Sequence, residues 1–442
     1  MRLFVFRRPE FLLLAALAVL AVALYSRSTV PQTMPAPQTG DVQQINDAPA
    51  PLPVSSERSI NLLKAQLREN PDNVTVASTL GLALLQRVRE TGDVSLYGQA
   101  EQVLQTALSH DPRSLDALIG MGSLANARHQ FSEALTWGEK ARDVSPYRAA
   151  VYGVITDALT ELGRYEEAAA AADKMVKTRP DLASYSRVAY QRELRGNIAG
   201  AAQALELAIS AGGSVTEHTV WTQVQLGNLA FNTGDLERAS AIYTRAIAIS
   251  PNDAYAQAGL ARVAAAQGEI DSAIATYSQI VTRLPLPEFV IALGELYEAS
   301  GEMTKANQQY DLVRAMQKLN AGAGMDVDLE LALFEADHGG DPQQALAMAR
   351  TAYKHRPSIH AADALAWALG HAGQPAEAAR YSAEALQLGT IDAAMYYRAG
   401  VIAQANGDDG AARNYLTRAL DINPHFSVLH APSAQAMLAQ LQ

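Results

Sequence analysis

Beyond residue 57 the small and apolar positions return in one arrangement: a Gly, an Ala five positions on, and in several copies a Pro twelve after the Ala. Complete copies are Gly163, Ala168, Pro180; Gly234, Ala239, Pro251; Gly268, Ala273, Pro285; Gly340, Ala345, Pro357; and Gly407, Ala412, Pro424. Gly196 with Ala201, Gly301 with Ala306 and Gly373 with Ala378 keep the first two marks, while Ala100 with Pro112 and Ala134 with Pro146 keep the last two. Successive glycines from Gly163 are 33, 38, 34, 33, 39, 33 and 34 residues apart, a period of about 34 with short insertions before Gly234 and Gly340.

Each mark has a physical reason. The Gly ends a first helix and turns the chain. The Ala lets a second helix approach the first closely, and a further small residue seven on (Ala141, Ala246, Ala352, Ala419) is placed to face the next copy. The Pro stops the second helix, because it can neither donate to nor continue the hydrogen-bond ladder. The pattern therefore predicts helical hairpins, and since one hairpin cannot bury its apolar face alone, the copies are expected to stack as a solenoid in which each contacts its neighbours.

The marks in the clearest copy, Gly227, Ala239, Tyr243, Ala246 and Pro251, resemble unit positions 8, 20, 24, 27 and 32 of the tetratricopeptide repeat family. The resemblance spans roughly 370 residues and implies an all-α fold, a right-handed α–α superhelical solenoid of about ten hairpins. The units read as 74–114, 115–148, 149–181, 182–219, 220–253, 254–286, 287–325, 326–358, 359–392 and 393–426. Residues 57–69 read as an amphipathic helix capping the front and 433–442 as a short one covering the end, so the solenoid is expected over 57–442. The first unit carries extra residues between Arg89 and Tyr97, which predict a longer loop. Asn320-Ala321-Gly322-Ala323-Gly324 lacks the third Gly, the Lys and the preceding strand of a phosphate-binding loop, and reads as a joint between units.

Composition agrees with close-packed helices: 83 of 442 residues are Ala and only 6% are aromatic. The absence of Cys excludes disulfides, thiolate metal sites and a Cys nucleophile. The amino terminus differs from the rest. Phe11 to Tyr25 is a run of fifteen uncharged residues, and its length of about 22 Å as a helix falls short of the roughly 30 Å hydrocarbon layer. Ala21-Val22-Ala23 offers a signal-peptidase site, whereas Tyr25 and Arg27 suit an interfacial anchor, so 1–27 is expected to be a signal-anchor or signal peptide. Arg2, Arg7 and Arg8 precede the run and no Lys or Arg follows Arg27 until Arg58, an asymmetry that puts the amino terminus inside and the bulk of the chain outside. Cleavage would instead leave it secreted or periplasmic. Residues 28–56, with Pro31, Pro35, Pro37, Pro49, Pro51 and Pro53, read as a disordered linker.

The formal charge is −11, and since residues 1–27 carry four Arg against one Glu, the remainder holds −14. Such a surface lacks the clustered cations that nucleic acid requires. No known catalytic set is present: there is no HExxH, GxSxG, SxxK or Walker motif, and no enzyme activity or cofactor is expected. The pairs His355 with His360 and His425 with His430 have five-residue spacings across turns, which does not suit helical metal ligation.

In the family it resembles, first helices line the concave surface, chiefly through unit positions 2, 5, 9 and 12. Carried onto this chain, the resemblance places Tyr190, Glu193, Trp221, Val224, Asn228, Phe231, Tyr255 and Arg262 on that face in the fourth to sixth units. In the seventh to ninth it places Glu288, Ile291, Glu295, Glu298, Glu330, Phe334, Asp337, His360, Asp363 and Trp367. The clamp that some relatives use for terminal carboxylates is missing: Asn228 stands at position 9, but Val224 is at 5 and Gly259 follows in the next unit. An aromatic middle beside an acidic stretch suits a protein or peptide partner with apolar anchors and basic side chains. The alternative is that Trp221 and Trp367 pack between helices and the acids form a solvated face. The expected function is a membrane-tethered, outward-facing interaction scaffold, or else an accessory or regulatory subunit of an envelope enzyme or of a secretion or assembly complex.

Overall fold

The computed structural model describes residues 56–212 and 217–441, so the expected signal-anchor and all but the last residue of the expected linker lie outside the described residues. A capping helix α1 (Glu57–Glu69) leads into ten hairpins. These are α2 (Val74–Thr91) with α3 (Leu96–His110), α4 (Leu115–Ala127) with α5 (Phe131–Val144), and α6 (Ala149–Glu161) with α7 (Tyr165–Thr178). Then come α8 (Leu182–Leu194) with α9 (Ile198–Ala211), α10 (Glu217–Asn232) with α11 (Leu236–Ile249), and α12 (Ala254–Ala266) with α13 (Ile270–Arg283). The last four are α14 (Pro287–Ala299) with α15 (Met303–Gly322), α16 (Asp328–Asp337) with α17 (Pro342–His355), α18 (Ile359–His371) with α19 (Pro375–Ala385), and α20 (Ala393–Ala405) with α21 (Asp409–Ile422). The helix α22 (His430–Gln440) closes the end. The fold is an α–α superhelical solenoid, without strands among the described residues.

The sequence marks do the expected work. Gly163 has φ +70°, and the bonds Arg164 N–H to Leu159 O (2.9 Å) and Gly163 N–H to Thr160 O (3.1 Å) make a Schellman ending for α6. Each residue before a unit-ending Pro lies outside the helical region, and Asp111, Ser145, Arg179 and Asn423 are extended, because the ring excludes the helical conformation. The marker alanines are completely buried in all ten hairpins, from Ala100 to Ala412. The space that small residues leave is filled by rings and leucines: a Cβ on Gly227 or on Gly259 would lie 2.5 Å from the Tyr243 ring.

Three details depart from expectation. The extra residues of the first unit do not form a long loop; they extend α2 to 18 residues, Gly92 (φ +70°) turns the chain, and Tyr97 is buried. In the eighth unit Gly339 (φ +73°), not Gly340, takes the left-handed position. In the second unit no Gly is available and His129 adopts φ +61°, a conformation that strains any residue with a Cβ.

The largest departure concerns which units touch. Beyond nearest neighbours, each hairpin turn of the first five units meets the loop that follows the unit five places later. Asp326 N–H donates to Arg128 O (2.9 Å), and Nδ1 of His129 lies 2.8 Å from Asp326 O. Ile359 N–H donates to Tyr165 Oη (2.7 Å), Thr390 Oγ1 to Leu194 O (2.5 Å), and Asn423 Nδ2 to Phe231 O (2.8 Å). The side-chain bonds span 192 to 197 residues, a little under six units of about 34, so one superhelical turn lies directly on the next. These bonds end on helix termini, where backbone groups have no partner within their own helix. The neighbouring turn supplies the cap.

Two glycines with the same backbone conformation separate local strain from this packing. A Cβ at Gly163 would meet Pro357 O at 2.3 Å, whereas one at Gly301 (φ +81°) meets nothing within 4 Å. Both Gly163→Ala and Gly301→Ala incur a left-handed cost of about 1–2 kcal/mol. Urea unfolding is expected to show Gly163→Ala losing roughly 1–3 kcal/mol more; equal losses would mean that the turns do not press on each other.

Candidate functional site: the inner face and the cleft between turns

The first helices form the inner wall, and the tight curvature brings them together. Large side chains at the expected positions therefore divide into two sets. Phe231, Phe334 and Trp367 are only 3%, 4% and 4% exposed and fill the wall. Arg262 lies over the Phe231 ring (4.1 Å) and donates to Asn232 Oδ1 (3.2 Å). Phe334 packs on Tyr310 and His338, and the Trp367 Nε1–H donates to Asp337 Oδ1 (2.8 Å). Asn228 accepts from Tyr243 Oη (2.7 Å) and Tyr255 is half-buried against Phe289, so both brace the wall. Trp221 and Tyr190 are different, at 44% and 38% exposed on the neighbouring inner helices α10 and α8.

The acidic stretch is largely occupied by partners within the chain. Glu298 accepts from Tyr310 Oη (2.7 Å), and Glu295 lies 3.5 Å from Nε2 of the buried His338. Glu330 accepts two bonds of 2.9 Å from the buried Arg356 and lies 3.7 Å from His129 of the preceding turn. Asp363 pairs with Arg398 inside the core. These carboxylates form neither a free acidic stripe nor a merely solvated face; they lock helices and, at Glu330, successive turns.

Where α8 faces the loop before α20, the two turns leave a cleft of about 260 Å³. Tyr190 and Glu193 stand on one side, Arg262 and Asn232 at one end, and His360 and Asp392 on the opposing turn. Tyr190 Oη and His360 Nε2 are 3.3 Å apart across it. Burial, followed by the nearby carboxylate of Asp392, pushes Glu193 up to about 7. Burial also raises the Tyr190 hydroxyl, with Glu161 and Glu193 adding to the effect. The expected set thus contributes Tyr190 and Arg262 to one place, with Glu193 and His360 from the same predicted face. Asp392, Asn423 and His129 were not singled out as site residues, because what gives them a role is contact across a superhelical turn, and no local spacing encodes that. No group of three or more His, Cys, Asp or Glu side chains arranged to hold a metal occurs among the described residues.

Family models recognise the repeats in two stretches of the chain. Residues 230–290 and 393–426 match tetratricopeptide repeat models, so the chain carries repeats of this class, which generally serve as scaffolds for protein contacts. No curated protein sequence matches the chain. Similar solved structures include a tetratricopeptide repeat protein from Parabacteroides merdae (16% identity, 55% of this chain and 97% of that one, TM-score 0.41). Others are a thermophilic repeat protein from Thermus thermophilus (20%, 40% and 95%, 0.36) and yeast Tom70 (12%, 86% and 92%, 0.35).

The cleft makes a pH-dependent expectation. A carboxyl raised in the folded state contributes stability that is fully present below its unfolded value, about 4.5, and is lost as pH rises through about 7. Glu193→Gln, which cannot ionise, is therefore expected to be more stable than the parent at pH 8 by about 1–3 kcal/mol and to match it near pH 4. Parallel stability curves from pH 4 to 8 would show that Glu193 is not confined by Asp392 and the opposing turn.

Proposed function

We propose that the chain is a membrane-tethered, outward-facing scaffold that holds a segment of a partner protein against its inner face, with Trp221 and Tyr190 as the apolar anchors. The observation that carries this reading is the exposure of these two rings on adjacent inner helices of a chain whose other expected inner aromatics are wholly or half buried. Aromatic side chains that a partner buries are where binding energy concentrates in protein interfaces, and of the two rings Tyr190 also lines the cleft. Net charge of −14 beyond residue 27 favours a basic segment, and it attracts such a segment from a distance. The tether rests on the uncharged run from Phe11 to Tyr25 and on the arginines that precede it. No described helix is long and apolar enough to cross a membrane.

Two tryptophans test the site. Trp221→Ala is expected to abolish capture of the partner while changing stability by less than about 0.5 kcal/mol, as for a surface substitution. Trp367→Ala is expected to cost about 3–5 kcal/mol through the cavity it leaves. Unchanged capture by the Trp221 variant would remove the inner face from the function. The tether is checked by washing membranes at alkaline pH: the full chain is expected to stay and residues 57–442 to be released.

A further inference from the structure

We propose that the cleft between the turns is a receptor for one lysine or arginine side chain, whose cationic end sits between Glu193 and Asp392. The inference rests on the reading above in taking that side chain to belong to the captured segment.

The groups around the cleft differ in what they have left to offer. Arg262 is held in place by the Phe231 face and by Asn232, both neutral, and keeps its charge at the edge of the cleft. Asp392 accepts from Met395 N–H at the start of α20 (3.0 Å). The carboxylate of Glu193 accepts no hydrogen bond and joins no ion pair among the described residues, although burial and the second carboxylate make its charged form unfavourable. A half-buried carboxylate without a partner is a cost to the fold. A cation placed beside it and Asp392 removes that cost. The remaining features suit a long side chain: Tyr190 and Phe426 line the space along its stem, and the cleft holds about 260 Å³, several times the roughly 30 Å³ of a water. Because Glu193 comes from one turn and Asp392 from the next, an occupied cleft ties the turns together.

The test uses N-acetyl-arginine amide and N-acetyl-lysine amide as probes, with N-acetyl-glutamine amide as the neutral control, by calorimetry on the full chain. Titration at pH 7 in buffers of different ionisation heat also reads protons. The cationic probes are expected to bind at one site and release protons, because the cation holds Glu193 ionised, whereas the control gives no saturable heat. Glu193→Gln, nearly isosteric, is expected to weaken binding at least tenfold and abolish proton release, and Asp392→Asn to weaken it less. Equal heats for glutamine and arginine probes, or unchanged affinity in the Gln variant, would overturn the proposal even where Trp221 still governs capture. Normal probe binding alongside capture that ignores Trp221 would sustain the cleft and sink the wider reading instead.

Discussion

The structure depends on one constraint: the hairpin turns of the first five units must fit against the loops five units further along. Helix termini leave backbone donors and acceptors without partners, and here the next superhelical turn provides several of them. Leu194 O receives Thr390, Phe231 O receives Asn423, and Ile359 N–H finds the Tyr165 hydroxyl. A nearest-neighbour solenoid is a soft spring, since its stability sums over adjacent pairs. Bonds that reach across nearly two hundred residues add coupling between turns, so its curvature is held from outside each unit as well as within it.

That constraint explains the second unit. His129 accepts a strained conformation that glycine fills in most other hairpins, and its ring reaches Asp326 O and Glu330 of the following turn. Local strain persists where the surroundings over-determine it. Arg356 adds to the same contact by lying over Phe131 while binding Glu330. The tight curvature also decides what the inner face can present. It buries Phe334 and Trp367, consumes most of the acids, and leaves Trp221, Tyr190 and a small polar cleft as the accessible chemistry.

Much of the fold was legible in the sequence, because its determinants are local. Gly163, Ala239 and Pro251 each act within one hairpin, and a period of about 34 follows from them. Helix α1 begins and ends where its amphipathic pattern predicts. The insertion at Arg89 was misjudged because helix extension and loop extension look alike until Gly92 is seen to take the left-handed turn. The site was less legible. Position within a unit says which helix face a residue occupies, and Phe231 and Trp221 share that face, but exposure depends on how sharply the units curve. Curvature arises from contacts such as Asn423 with Phe231, which no motif records.

The most direct measurement of turn-on-turn closure uses the absence of cysteine in the chain. Spin labels at Arg164→Cys and Lys354→Cys, two exposed sites beside the Gly163–Pro357 contact, report one distance by dipolar spectroscopy. A closed superhelix gives a single narrow distribution at the short end of the measurable range, and it persists in the unliganded chain. A broad distribution centred several nanometres away would contradict the account, because the turns would then stand apart and the cleft would not exist.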